Sequence, residues 1–199
     1  MSERNRATAA ALFAVLIAVA YLLSCATAPS PAASPKADPR MFRSDEWVIT
    51  TVNSFAAPDA DSKGKAYYLG SAVQNVEDND LEFLEYARML ENGLSLKGYV
   101  RVYDKNDADI LVSLGYGITA GEGTKVRILM LVTADGLKNG ETQSQIWKTS
   151  AICDDYSSDL RRMLAYMVLA CADYFGTNTG MKKTFMINGQ DPRLLDIWK

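Results

Sequence analysis

The sequence predicts an α+β domain: a mostly antiparallel sheet with two helices packed on one face. Three observations carry this. Apolar residues alternate with period two in most segments beyond residue 41, the signature of half-buried strands. A 3.6-residue apolar period recurs in only two places, near 80–97 and 159–175. Gly, Asn and Asp pairs close hairpin-like links between successive strands, giving the order β-β-α-β-β-β-β-α-β.

Trp47 to Phe55 reads as the first strand, with Trp47, Ile49, Thr51 and Phe55 on one side and Val48, Thr50 and Val52 on the other. A polar loop from Pro58 to Lys65 leads into a short strand, Ala66 to Gly70. Asn79 followed by Glu82 has the spacing of a capping box. It opens a helix over about 80–97 whose stripe is Phe83, Ala87, Leu90 and Leu94, and Gly98 stops it. Tyr99 to Tyr103 and Asp109 to Ile118 are strands, the latter placing Ile110, Val112, Leu114, Tyr116 and Ile118 inward. Lys125 to Ala134 and Ser144 to Cys153 follow, with Asp135-Gly136 and Asn139-Gly140 punctuating the turn between them. Ser157 or Ser158 with Asp159 opens the second helix, striped by Leu160, Leu164, Met167 or Val168, Cys171 and Phe175, and Gly176 ends it. Lys183 to Ile187 is the last strand. The domain therefore occupies 41–188, and 189–199 reads as a polar C-terminal tail.

Of the 199 residues, 48% are hydrophobic, enough apolar material for one core but not two. Lys plus Arg is 21 against Asp plus Glu 24, and no long basic run exists, which argues against a nucleic-acid partner. Histidine is absent. That removes Ser-His-Asp and Cys-His nucleophile systems and HExxH zinc sites, so the chain reads as a non-enzyme with no cofactor and no metal.

The N-terminal segment reads as an address. Arg4 and Arg6 precede an apolar stretch, Ala7 to Leu23, which is short for a permanent span and fits a signal peptide over 1–24. Leu22-Leu23-Ser24-Cys25 then resembles a lipobox, which implies cleavage between Ser24 and Cys25 and thioether lipidation of Cys25. The competing small-residue site, Ala26-Thr27-Ala28, is followed by Pro29, which suits ordinary signal peptidases badly. Ala26 rather than Asp after the cysteine implies, by the same resemblance, display at the outer membrane facing the periplasm. Residues 25–40 form a Pro- and Ala-rich tether without large apolar side chains. Its stretch from Ala26 to Pro39 reaches up to ~40 Å in extended polyproline-like form.

Several segments together resemble an uncharacterised bacterial envelope lipoprotein family built around a domain of unknown function. They are Tyr67-Tyr68-Leu69-Gly70, Leu96-Lys97-Gly98-Tyr99, the strand Ala108 to Ile118, Ile146-Trp147-Lys148-Thr149, Asp159-Leu160-Arg161-Arg162 and Gly176-Thr177-Asn178-Thr179-Gly180. The resemblance spans residues 67–180 and implies an exported, lipid-anchored α+β domain with no established activity. This chain differs in its short Gly117 to Lys125 connection.

Candidate chemistry is sparse. Cys153 and Cys171 are separated by about thirteen helical residues, or ~20 Å, too far for a disulfide, so both are expected as free buried thiols. Asp154, Asp155 and Asp159 complement the start of the second helix. Gly115-Tyr116-Gly117 continues a strand and opens no helix, so it is no dinucleotide turn. The loop Gly176, Thr177, Asn178, Thr179, Gly180 is a candidate anion-binding nest, although turn chemistry favours a helix stop leading to a strand. Tyr67, Tyr68, Tyr99, Tyr103 and Trp147 would line a groove if they sat on the uncovered sheet face. The preferred interaction face is the one opposite the helices, carrying Arg127, Leu129, Leu131, Lys148, Ser150 and Ile152. The expectation is a non-catalytic, lipid-anchored lipoprotein, membrane-bound through its N-terminus, whose domain binds another envelope component through that face. The alternative is a carrier of a hydrophobic small molecule or lipid in an apolar cleft between sheet and helices.

Overall fold

Burial alternates along every long strand, and that alternation builds the molecule. The computed structural model describes residues 42–199; the signal peptide, the cleavage site at Ser24 and Cys25, and the tether over 25–40 lie outside the described residues. Seven strands form one sheet: β1 (Trp47–Ala56), β2 (Ala66–Ser71), β3 (Val100–Arg101), β4 (Ile110–Ala120), β5 (Val126–Lys138), β6 (Glu141–Asp155) and β7 (Lys183–Asn188). Their order is β3-β2-β4-β5-β6-β1-β7. All ladders are antiparallel except those of β2 with β3 and β4. That parallel corner arises because helix α1 (Leu81–Ser95) carries the chain from β2 back to the start of β3.

The α+β class, the mainly antiparallel sheet and the helices on one face are as the sequence predicts, with one addition. Residues 189–199 are not a polar tail: Pro192–Trp198 form a third helix, α3, after Asp191, whose carboxylate accepts from the Arg193 N–H. Leu194 and Ile197 on it are buried, and Asn92 of α1 donates to the Ile197 carbonyl. The segment is too short to show a helical period, so only its packing reveals it.

Helix α2 (Leu160–Cys171) is the centre of the helical layer. It packs on β1, β5 and β6 and against α1 and α3, so Met163 through Cys171 are all buried rather than one stripe alone. Asp159 caps it by accepting from the Arg162 N–H. The α1 stripe of Phe83, Ala87, Leu90 and Leu94 is fully buried as expected. The capping box is not formed: Asp80 precedes α1 without a side-chain cap, and its carboxylate accepts from the Glu77 N–H instead. At the other end, Gly98 at φ +76° permits the paired Tyr99-to-Leu94 and Gly98-to-Ser95 bonds that close the helix. α1 and α2 approach closely at Gly93, where a Cβ would lie 2.5 Å from Val168 Cγ1.

Two strand boundaries also moved. Asp135-Gly136 is not a turn; it sits inside β5 at a bulge, and Asn139-Gly140, both with positive φ, makes the hairpin to β6. On β4, Ile110, Val112 and Leu114 are buried as predicted. Tyr116 is half-buried edge-on to Tyr86, and Ile118 is exposed where the helical cover ends. No helix of the described residues is long and apolar enough to cross a membrane.

Candidate functional site

The candidate site is the sheet face that no helix of the described residues covers. Register places the predicted residues together: Leu129 opposes Ile152, Leu131 opposes Ser150, and Arg127 opposes Asp154. Lys148 lies beyond them on the same side, between Phe55 of β1 and Thr133 of β5. Their neighbours along each strand, such as Ile128, Met130, Ala151 and Cys153, point to the helices and are buried.

The face has relief because β4 contributes no side chains at Gly115 and Gly117, which oppose Leu131 and Leu129. A Cβ at Gly117 would meet nothing within 4 Å. The two glycines thereby floor a trough of about 460 Å³, walled by Leu129, Leu131 and Ile152 on one side and by Ala72 and Val73 on the other. Sequence reasoning weighed Gly115 and Gly117 only as a dinucleotide turn. The signal that finds the trough is their outward position in alternation with inward Leu114, Tyr116 and Ile118.

The two basic groups on the face differ. Arg127 grips Asp154 through two hydrogen bonds, Nε to Oδ1 at 2.7 Å and Nη2 to Oδ2 at 2.9 Å. That bidentate contact raises the Arg127 pKa and holds Asp154 below the usual carboxylate range. Lys148 makes no ion pair among the described residues. It is the uncompensated cation at the margin of the trough.

Three of the five N–H groups in the loop Gly176 to Gly180 are taken by acceptors of the protein. Thr177 N–H donates to the Tyr174 carbonyl, Thr179 N–H to the Ser54 carbonyl, and Gly180 N–H to Asn178 Oδ1. Thr179 Oγ1 accepts from the Ser54 N–H, while the Ser54 hydroxyl lies 2.7 Å from Thr149 Oγ1 and close to the carbonyls of Tyr174 and Thr177. The loop thus ties α2's exit to β1, which is the helix-stop reading. Thr177, Thr179 and Gly180 have no free N–H for an anion.

The aromatic residues divide between core and surface. Tyr67, Tyr99 and Trp147 lie under the helices in an edge-to-face and tilted chain that continues to Phe175, so they line no groove on the open face; Tyr103 is exposed. Tyr67 Oη is buried without a hydrogen-bond partner, and burial raises its pKa. Cys153 and Cys171 are free and buried, and burial pushes the Cys153 thiol up to about 12. The acidic residues at the start of α2 have local partners: Asp154 takes Arg127, Asp155 accepts from Ser157 N–H, and Asp159 caps the helix.

Sequence reasoning left the faces of β1 open, and here the structure decides. Val48, Thr50, Val52 and Ser54 point inward and are buried, while Trp47, Ile49 and Phe55 stand on the open face at more than half exposure.

No family model matches the chain, and no curated protein matches it. Among solved structures, the chain is similar to a DUF4136 family protein from Bacteroides thetaiotaomicron VPI-5482, at 14% identity, covering 64% of this chain and 97% of that one with a TM-score of 0.43. It is also similar to a PelC dodecamer from Paraburkholderia phytofirmans, at 13% identity over 64% and 95% of the two chains with a TM-score of 0.40. A minor lipoprotein from Acinetobacter baumannii matches at 18% identity over 56% and 87%, with a TM-score of 0.34.

Proposed function

We propose that this protein is a non-catalytic lipoprotein, anchored through Cys25 at the outer membrane and facing the periplasm. Its domain holds another envelope protein on the open face of the sheet. The observation that carries the reading is the trough floored by Gly115 and Gly117, an apolar concavity in the sheet face left open by the helices of the described residues. Its lining is apolar apart from Ser150 and Lys148, which suits binding of an extended or bulky apolar segment and supplies no acid, base or nucleophile pair. Lys148 at its margin favours a partner that brings a carboxylate.

The carrier reading needs a cavity between sheet and helices. That space is filled: Val52, Val112, Met130, Trp147, Met167 and Val168 are each at most 2% exposed there. The support therefore lies with the surface rather than with an enclosed lipid site.

A photo-crosslinking residue at Leu131, compared with one at exposed Arg88 on α1, tests the proposal in living cells. A discrete protein adduct from position 131 alone, lost when Gly117→Leu fills the trough and weakened by Lys148→Glu, is the expected result. Equal adducts from both positions, or persistence through Gly117→Leu, would remove the trough as the binding surface.

A further inference from the structure

We infer that the corner of the open face formed by Trp47, Ile49 and Met186 is a membrane-contact patch that lays the domain against the bilayer holding its anchor. The inference rests on the proposed lipidation at Cys25 and adds to it a second, protein-borne contact.

The three side chains form one surface. Ile49 and Met186 are directly opposed across β1 and β7, and Trp47 stands two residues before Ile49 on the same side. Their exposures are 58% for Trp47, 55% for Ile49 and 64% for Met186, although the inward positions next to them on β1 hold the smaller Val48 and Thr50. Large apolar groups left side by side in water call for an apolar partner.

The position of the tether selects that partner. The chain passes into the described structure at Phe42, whose ring packs edge-on to Tyr166 at 5.5 Å and Trp198 at 6.0 Å. Glu46 is then fixed by an ion pair to Arg162 and by the Gly189 N–H on its carbonyl. Phe42, the first described residue, is therefore held five residues before Trp47, within ~17 Å of it even if those residues were fully extended. A lipid on Cys25 would keep the whole domain within tether's reach of the bilayer and so raise the effective concentration of any surface that can touch it, so a patch of three residues suffices where it would not bind vesicles alone.

The chemistry fits an uncharged lipid surface. Trp47 has the ring preferred at the boundary between headgroups and acyl chains, and the patch is bordered by the hydroxyls of Thr51 and Thr184, 3.4 Å apart, by Asn188, and by the mutually neutralising pair Asp191 and Arg193. The exported part of the chain, from Cys25 onward, has a net charge of −4 once Glu3, Arg4 and Arg6 are removed. Apolar insertion, not charge attraction, is therefore the driving term. With this corner down, β1 carries the face away from the membrane over ~26 Å to Phe55, beside Lys148.

The test uses lipidated protein purified from membranes and reconstituted into phosphatidylcholine vesicles with or without brominated acyl chains. Flotation reports the anchor, and tryptophan emission reports the patch. The expected result is flotation together with quenching by brominated lipid, with the quenched component abolished by Trp47→Phe. Ile49→Asp with Met186→Asp should reduce that quenching at least twofold while flotation and the thermal melt stay unchanged. Flotation with identical emission in both vesicle types overturns the patch and leaves the anchor standing. Failure to float overturns the anchor and the patch together. A blue-shifted Trp47 emission that ignores bromine and accompanies a doubled mass assigns the corner to a second copy of this chain and also overturns it.

Discussion

The two sides of β1 reverse the usual arrangement. The side under the helices carries Val48, Thr50, Val52 and Ser54, while the side in water carries Trp47, Ile49 and Phe55. On β5 and β6 the contrast is milder, since buried Ile128, Met130 and Ala151 face half-buried or exposed Leu129, Leu131 and Ile152 on the other side. The reason lies in what approaches each side. α2 lies against β1 and fills the space with its own large side chains, Met163, Tyr166 and Met167, so small residues suit the strand beneath it. The inner hydroxyls of Ser54 and Thr149 are satisfied by each other and by the loop after α2. The outer side has no such partner among the described residues. Apolar bulk on this sheet therefore does not by itself mark the core.

Substitutions separate the two sides by size of effect. Trp147→Ala, on the covered side at 2% exposure and in ring contact with Tyr99 and Phe175, should lower unfolding free energy by ~3–5 kcal/mol in denaturant titrations. A loss below ~1 kcal/mol would show that the covered side is not close-packed. Ser54→Ala, in the same layer, leaves the Thr149 hydroxyl without its 2.7 Å partner and should cost ~1–3 kcal/mol by the same measurement.

The thiols sharpen the contrast through pH. Burial raises the Cys153 pKa to about 12, so the folded chain keeps a proton that the unfolded chain releases near the ordinary thiol value. This stabilisation is whole below that ordinary value and is lost progressively as pH rises toward 12. Denaturant midpoints should therefore fall on the alkaline side, by on the order of 1 kcal/mol near pH 9.5 from Cys153, and Cys153→Ala should flatten the fall. Cys171, fully buried, adds in the same direction. Iodoacetamide at pH 8 should label neither thiol until the protein unfolds, as read by intact mass.

The smallest effect on stability belongs to the open side. Gly117→Leu enters empty space at an ordinary strand conformation, so the unfolding free energy should move by less than ~0.5 kcal/mol while capture of the partner is lost. A large destabilisation would mean that the trough floor is needed for folding rather than for binding.

Much of the fold was legible because each local signal agreed with its neighbours. The α1 stripe, the Asp159 cap, the Asn139-Gly140 hairpin and the strand sequence all follow from periodicities and turn chemistry confined to a few residues. The grouping of Arg127, Leu129, Leu131, Lys148 and Ile152 was legible for the same reason, since period two on adjacent antiparallel strands fixes a common side. Helix α3 was not, because Leu194 and Ile197 become core only where α1 and α2 leave a seat for them. The trough was not, because absent side chains form a cavity only when Ala72 and Val73 arrive from another strand's end.

By itself the sequence determined the strand and helix periods, the single core and the export-type N-terminal pattern, all properties that short-range order can encode. The tertiary structure alone decided which side of β1 is core, which of two basic residues is already paired, and that Phe42 is held by Tyr166 and Trp198. Those outcomes depend on elements far apart in the chain competing for the same space, and no local pattern records who wins that competition.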